Sequence, residues 1–247
     1  MKHFLIAVLI FLSGQLYSQT LVTDRPDQTE SSSTVELGSL QVESGFLLGF
    51  TDENNNSVRQ ILLPTTLFRY GLTKGIELRI LSQFESLKNN WQIIEGISDL
   101  EIGTKIQLLK KEDVNTEIAF LSHLIIPTGT SELSGDNFGT INKLAISHQI
   151  NENIGFGYNV GYNYMGSGNG DLSYSMAMGM AINDKVGVYL ESYGDVVEFQ
   201  ELLVNFDTGL TYLVKDNLQL DFSFGTGINH EMNYISIGFS WKTYKKA

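Results

Sequence analysis

The sequence predicts an all-β protein, an antiparallel transmembrane β-barrel of about 12 strands. Two observations carry this prediction. Apolar residues take every second position over 154–164 and again over 172–182, as in strands with one apolar face. Each run is long enough for a tilted strand to cross a bilayer, and the opposite face holds Gly, Ser and Asn rather than the Lys and Glu of a solvated surface.

Residues 1–18 predict a secretory signal peptide, because Lys2 precedes an apolar run over 4–12 that small and polar residues follow. The run is too short for a transmembrane helix. The 247-residue chain has no Cys, which excludes disulfides and thiol chemistry. Its formal net charge of −12 argues against nucleic acid as a partner, since nucleic-acid binding needs a basic surface.

Residues 19–38, called here the N-terminal strap, are polar and contain a Pro, which predicts an extended segment rather than a strand. Two interpretations stay open. The strap is a periplasmic tail, or it tucks into the barrel mouth with Arg25 paired to a lumen carboxylate. Asp24, Arg25 and Asp27 are its candidate functional residues.

The barrel is expected over residues 39–247, with both termini in the periplasm because the strand number is even. Short turns rich in Asn, Asp, Gly and Lys alternate with mostly longer connections, as in outer-membrane barrels. The last strand must pair with the first, since an open edge in hydrocarbon leaves backbone groups unbonded. The predicted strands are 39–50, 59–70, 75–87, 97–109, 115–126, 140–150, 154–165, 171–182, 186–193, 202–213, 218–228 and 232–242.

Alternation also predicts which side chains face lipid and which face the lumen. Apolar residues such as Leu62 and Tyr234 are assigned to the lipid face, with a register slip near Ile235. The lumen receives the charges, because a charge facing lipid costs about 2–4 kcal/mol at mid-depth. The predicted acids are Glu43, Glu77, Glu85, Asp99, Glu101, Glu117, Asp171, Glu191, Asp207 and Asp221, and the predicted bases are Arg69, Arg79, Lys105 and Lys143.

The candidate transport path is therefore a set of charged lumen residues, with Arg79 and Glu101 expected to pair across neighbouring strands. Two interpretations stay open for this acid-rich lumen. It is a salt-bridged filling, or it is a path for neutral or cationic solutes. The candidate lumen residues are Glu43, Arg69, Glu77, Arg79, Glu101, Lys105, Glu117 and His123.

Catalytic and cofactor motifs are missing, so we predict no enzyme, no cofactor and no metal. One alternative is a lipid hydrolase in which His123 acts with Ser147 on the adjacent strand. Residues 52–56 have the spacing of a calcium loop, but Ser57 and Leu63 replace its required Gly and Glu. This loop is expected to bind cations only weakly.

Several motifs resemble a family of bacterial outer-membrane proteins described as transporters, or as "putative MetA-pathway of phenol degradation" proteins. The resemblance covers the whole mature chain. Its opening motif, residues 23–31, is the most specific. The residues that carry the resemblance are 23–31, 38–46, 67–73, 77–79, 127–129 and 159–162. The resemblance implies an outer-membrane barrel with a passive transport role.

The leading functional prediction is a passive channel for small molecules in a Gram-negative outer membrane. The alternative from a different class is a closed structural barrel with a charge-filled lumen, and the lipid hydrolase comes third. The expected partners are outer-membrane lipid, the barrel-assembly machinery and a small-molecule solute.

Overall fold

The structure, a computed structural model, describes residues 21–53, 56–111 and 114–243. The predicted signal peptide and residues 54–55 of the proposed cation loop lie outside this range. The described chain forms 13 strands: β1 Leu40–Glu53, β2 Asn56–Thr73, β3 Ile76–Lys88, β4 Ile93–Ile97, β5 Leu100–Leu109, β6 Thr116–Ile126, β7 Gly139–Asn151, β8 Ile154–Tyr164, β9 Asp171–Ala181, β10 Val186–Val197, β11 Glu201–Lys215, β12 Leu218–Gly227 and β13 Glu231–Lys242.

These strands form one closed antiparallel barrel with twelve positions in its wall. β1 pairs with β2 on one side and with β13 on the other, from Gln41↔Lys242 to Asp52↔Glu231. The first half of β3 pairs with β5 and its second half with β4, so β4 and β5 share one wall position. The predicted number of strands and the predicted closure are confirmed.

The extra strand β4 corrects the prediction of a loop over 88–96. Ser98 and Asp99 interrupt the wall between β4 and β5, and the strand resumes beyond them. Other predicted loops are shorter because strands extend into them: β10 continues to Val197, and β11 begins at Glu201. Of the connections predicted to be long, only 127–138 is longer than six residues in the described chain.

Connections of one kind gather at each end of the barrel. We call the end that holds the short turns 74–75 and 152–153 the turn end, and the opposite end, with 127–138, the loop end. The chain enters β1 and leaves β13 at the turn end. In the described residues, no helix has the length and apolar character needed to cross a membrane.

The two faces of the wall differ as the alternation predicts. Outward side chains are mostly apolar and exposed, whereas most inward side chains are polar or charged and many are buried. Examples of the outward set are Met176, Met178, Met180, Leu220, Phe222, Phe224, Ile235, Ile237 and Phe239. This arrangement suits a wall in contact with hydrocarbon.

Two outward assignments are wrong. In β2 the register shifts between Leu62 and Thr65, so Leu62 pairs with the inward Glu85 and Leu47 and faces the lumen. Pro64 has no N–H to give the ladder, which favours a bulge here. In β13 no register shift occurs, so the predicted slip is absent and the buried Tyr234 faces inward.

Candidate functional site

The described part of the N-terminal strap, residues 21–38, lies inside the barrel. Leu21, Thr29, Ser32 and Val35 are buried there. At its end the strap joins the wall through a parallel bridge between Leu37 and Gly71. The strap thus enters from the turn end and occupies the lumen, which is the arrangement that the second interpretation of this segment requires.

A buried network of ionised side chains, called here the charge cluster, joins the strap to β1, β2, β3 and β5. Arg69 reaches Glu43 at 2.8 Å, Glu77 at 2.9 Å and Asp24 of the strap at 3.2 Å. Arg79 and Lys105 are the other two cations of the charge cluster. Its members are Asp24, Glu30, Glu43, Arg69, Glu77, Arg79 and Lys105. Three cations thus face four carboxylates.

Asp24 is the centre of this cluster. Its carboxylate accepts from Arg79 at 2.6 Å and from Lys105 at 2.9 Å, and its Oδ1 also accepts the amide of Ser31 at 2.8 Å. Arg69, Arg79 and Lys105 are each at most 1% exposed. Such charges are tolerated only when paired and hydrogen-bonded, and Asp24 of the strap is a partner of all three cations of the wall.

His123 lies between Arg79 and Glu101, which the sequence analysis expected to pair directly. The Nε of Arg79 donates to Nε2 of His123 at 2.9 Å, and Nδ1 of His123 lies 2.7 Å from Glu101. Because a guanidinium only donates, Nε2 must accept, which assigns the ring proton to Nδ1. Arg79 itself pairs with Asp24, Glu77 and Glu30. The expected direct pair is replaced by an Arg–His–Glu chain.

Arg25 holds the strap to the far side of the lumen. Its guanidinium donates to Asp221 at 2.8 Å and to Ser236 at 3.1 Å. It passes over Gly45 and Gly238, which face each other across β1 and β13. A Cβ at Gly45 or Gly238 would lie 2.6 or 2.4 Å from guanidinium atoms, so only glycine leaves room for Arg25 here.

Side chains of the wall also bind the backbone of the strap. The amides of Gln28 and Val35 donate to Glu191 and Glu77, each at 2.7 Å. The backbone N–H of Glu30 donates to Oδ1 of Asn159 at 2.7 Å, and Nδ2 of Asn159 donates to the backbone carbonyl of Glu30 at 3.0 Å. A segment inside a barrel has no sheet partner, so its buried N–H and C=O groups need such side chains.

The remaining predicted residues are more scattered. Glu117 lies nearer the turn end, where it accepts from Ser33 at 3.0 Å and pairs with the exposed Lys110 at 3.0 Å. Asp27 forms no ion pair within the described chain. Asp99 is not a lumen residue, because its carboxylate binds the loop 127–138 at the loop end through Thr128, Gly129, Ser134 and Gly135.

A cavity of about 320 Å³ lies on the loop-end side of the strap. Strap residues 24–28 and Glu30 border it, together with Glu101, His123 and Lys143. Much of its wall is apolar, formed by Leu47, Leu62, Leu67, Leu81, Leu121 and Ile141. Lys143 also borders a second cavity, of about 190 Å³, between the strap and β8, β9 and β10.

The sequence analysis missed this apolar wall, although a signal was present. Leu67, Leu81 and Leu121 each lie two positions from an inward residue, namely Arg69, Arg79 and His123. The two-residue period of a strand therefore places them inside. They were assigned to neither face, because only charged and polar residues were assigned to the lumen. Glu30, Thr29 and Asn159 were missed because no pattern reports which side chains a strap will meet.

The structure separates the suggested hydrolase pair. On β6 and β7, His123 is opposite Ile141, whereas Ser147 is opposite Glu117. Six residues along a strand span about 20 Å, so His123 cannot activate Ser147. Within the range the structure describes, no group of three or more His, Asp or Glu side chains is arranged to hold a metal ion.

The barrel has the fold of outer-membrane channels and porins. An outer-membrane channel from Pseudomonas putida F1 is 11% identical over 86% of this chain and 98% of its own, with a TM-score of 0.73. The KdgM porin, solved in complex with disordered oligogalacturonate, is 9% identical over 83% and 99%, with a TM-score of 0.58. The NanC porin is 12% identical over 81% and 100%, with a TM-score of 0.51.

The sequence itself identifies the family. Residues 23–241 match the family described as "Putative MetA-pathway of phenol degradation", and the chain belongs to this family. The match begins inside the strap and ends in β13, so it includes the charge cluster and every strand of the barrel. No curated protein matches the sequence.

Proposed function

We propose that this protein is an outer-membrane channel through which small solutes diffuse passively, with the strap as its constriction. The observation that carries the proposal is the cavity of about 320 Å³, which lies inside a membrane-type barrel and ends at the strap. The similar structures support it, because two are called porins and one an outer-membrane channel. The solute is not taken from the name of the family or from any neighbour.

The strap must move, at least in part, for a solute to pass. At its level the lumen is filled, since Arg69, Glu77 and Lys105 are fully buried. On the side of Asp221 its attachments are the ion pair and hydrogen bonds of Arg25, whose side chain is partly exposed, so water can replace them at a modest net cost for each bond. Release at Arg25 would detach the strap from Asp221 and Ser236 and widen the lumen there, while Asp24 and Glu30 still hold the strap on the opposite side.

The proposal includes a location and partners. The barrel resides in the outer membrane of a bacterium, with both termini on the periplasmic side. Its apolar outer face contacts lipid, and the barrel-assembly machinery inserts it. The supporting observation is that the chain enters β1 and leaves β13 at the same end, where the short turns gather.

Single-channel conductance in planar bilayers tests this function. We expect Arg25→Ala to raise the conductance several-fold, because it removes the bonds to Asp221 and Ser236. Gly238→Val should do the same without changing charge, since its side chain would occupy the space of the guanidinium. Lys185→Ala, in an exposed turn, and Gly179→Val, where a Cβ meets nothing within 4 Å, are the matched controls.

The second candidate is a closed structural barrel, and the charge cluster favours it. Seven ionised groups that join the strap to four strands would stiffen a wall that needs no passage. If wild type, Arg25→Ala and Gly238→Val are all silent while retaining their β-structure, the channel proposal is wrong. A catalytic role has no support from the geometry of His123 and Ser147.

A further inference from the structure

Two cations at the loop end are separate from the other basic residues. In the described chain, every other Lys and Arg points into the lumen or lies at the turn end. Arg59 and Lys88, called here the rim pair, are opposite each other on β2 and β3. They share the outward face with the exposed Leu63 and Phe84. The basic patch at the loop end therefore faces away from the lumen.

No carboxylate of the described residues is paired with the rim pair. Neither Arg59 nor Lys88 forms an ion pair there. The Nε of Arg59 is also buried without a hydrogen-bond acceptor. Like charges directly opposite each other on antiparallel strands destabilise the sheet. Two adjacent cations and an unbonded buried donor therefore indicate an anion that the chain itself does not supply.

Acidic residues on both sides of the rim pair limit the size of that anion. Glu95 on β4 is opposite Ser86 and accepts its hydroxyl at 2.8 Å. Asp52 and Glu231 face each other across β1 and β13, one outward position beyond Phe50. Because these carboxylates repel negative charge, the favourable potential is confined to the rim pair itself. This distribution fits a single group of the size of a phosphate rather than an extended polyanion.

The rim pair lies at the edge of the apolar outer face. In the same row of the sheet, Arg59 is opposite Phe50 on β1 and Lys88 is opposite Ile93 on β4, and both apolar side chains are exposed. The stretch of β2 from Arg59 to the outward Tyr70, tilted by about 45°, rises by about 25 Å, which is the height of the apolar band of an outer-membrane barrel. The rim pair is therefore at the level of lipid head groups.

We propose that the rim pair binds the phosphate of a lipid in the outer leaflet, whose acyl chains lie against the apolar face of β2, β3 and β4. The inference rests on the location given in the proposed function, but not on channel activity. The guanidinium of Arg59 and the ammonium of Lys88 both suit phosphate oxygens. A phosphate between them removes their repulsion and gives the Nε of Arg59 an acceptor. A soluble phosphate meets only these charges, whereas a lipid also covers Phe50 and Ile93.

Three probes test this proposal: lipid A with its phosphates, dephosphorylated lipid A, and the deacylated disaccharide that keeps the phosphates. Binding to the full barrel in detergent micelles is measured by microscale thermophoresis. We expect phosphorylated lipid A to bind at least about tenfold more tightly than either other probe, because each of them lacks the charge-assisted bonds or the apolar contact. The double variant Arg59→Gln, Lys88→Gln should abolish the preference for the phosphorylated over the dephosphorylated lipid.

The control is the double variant Lys185→Gln, Lys215→Gln, which removes the same charge from two exposed positions at the turn end and should keep the preference. An equal loss in this control would mean that only net charge matters, and would overturn the proposal. Equal binding of the wild type to lipid A and to either other probe also overturns it, as does an unchanged preference in the folded rim-pair variant. Phosphate-dependent lipid binding by a barrel that never conducts would contradict the channel function and leave this inference standing.

Discussion

At the scale of single residues, Arg69 shows how the lumen is stabilised. Its side chain bonds two carboxylates of the wall, Glu43 and Glu77, and donates to the carbonyl of Ser33 at 3.0 Å. It is fully buried, so its contacts are not weakened by competing water. A buried cation with several acceptors contributes most through what its removal leaves behind, which is a set of buried anions without a partner.

We expect Arg69→Met to lower the free energy of unfolding by about 3–5 kcal/mol, the usual cost of breaking a buried pair. Glu77 keeps Arg79, whereas Glu43 keeps only the neutral donors Gln41 and the Asp24 amide. Urea titration in lipid or detergent, followed by tryptophan fluorescence, measures the change.

Two comparisons make this prediction specific. Adding Glu43→Gln to Arg69→Met should restore part of the lost stability, because it removes the stranded charge. Lys110→Met, which breaks an exposed pair with Glu117, should cost no more than about 1 kcal/mol. A double variant less stable than Arg69→Met would show that the stranded carboxylate is not the cause.

At the scale of elements, the bulge in β2 decides which side chains form the cavity. Between Leu62 and Thr65 the strand holds one residue more than β1 and β3 need, so both of these residues point inward. Leu63, in contrast, is 52% exposed on the outside. Without the bulge, Leu62 would face lipid and the cavity would lose part of its apolar wall.

Single cysteines carrying a nitroxide label test the bulge, since the chain has no other Cys. We expect labels at Leu63 and Phe84 to be relaxed by oxygen, which concentrates in lipid, and labels at Leu62 and Thr65 to be shielded from it. Unbroken alternation through β2 would instead give Leu62 the high oxygen accessibility of Phe84.

The loop 127–138 depends on one carboxylate. Burial alone raises the pKa of Asp99, but its bonds to the Ser134 hydroxyl and to the amides of Gly129, Gly135 and Thr128 outweigh burial and lower the pKa. A lowered pKa in the folded state means that this anchor is fully present above the ordinary value of about 3.9 and is lost as the pH falls below it.

We therefore expect Asp99→Asn to expose the loop at neutral pH, as acidification through the lowered pKa of Asp99 does for the wild type. Cleavage after the exposed Glu132 by a glutamate-specific protease at pH 7 should become about tenfold faster. A tenfold larger open population corresponds to the net free energy of one charge-assisted hydrogen bond. Asp136→Asn, the same change at an exposed position of the same loop, is the control. Equal cleavage rates in both variants would contradict the anchor.

Alternation predicted the strands of the barrel and most of their limits, because a one-sided period of two is a local property, and the cost of an open edge in hydrocarbon predicted closure. The prediction of inward and outward faces was wrong where a side chain's direction depends on a bulge or on a partner in another strand. The bulge at Pro64 reverses the assignment of Leu62, and Tyr234 is an aromatic residue that faces inward to bond Asp207. The partners of the strap depend on which strands stand opposite in a closed ring, which one sequence does not report.

At the scale of the whole molecule, the lumen carries more acid than base. The acids on the strap and on the inner face of the wall are Asp24, Asp27, Glu30, Glu43, Glu77, Glu101, Glu191, Asp207 and Asp221, against the bases Arg25, Arg69, Arg79, Lys105 and Lys143. A charged passage with low-dielectric walls concentrates ions of the opposite sign. Cations should therefore pass more readily than anions.

The reversal potential in a KCl gradient measures this selectivity, with Gly238→Val used if the wild type is closed. We expect a reversal potential whose sign indicates K⁺ selectivity, with a permeability for K⁺ several-fold higher than for Cl⁻. Asp184→Asn, which changes an exposed turn charge, should leave the potential unchanged. Anion selectivity would mean that the excess of acidic side chains does not face the passage.

The contacts of the strap also fit a barrel of one size. The strap forms hydrogen bonds with β1 and β3 on one side of the lumen and with β8, β10 and β12 on the other sides. The bond from Arg25 to Asp221 joins residues that are 196 positions apart in the sequence. The diameter of a barrel grows with its number of strands. A ring closed with one hairpin too many or too few would leave the strap unable to reach all of these partners at once. All contacts of the strap therefore form together only when the first and last strands pair in a barrel of twelve strand positions.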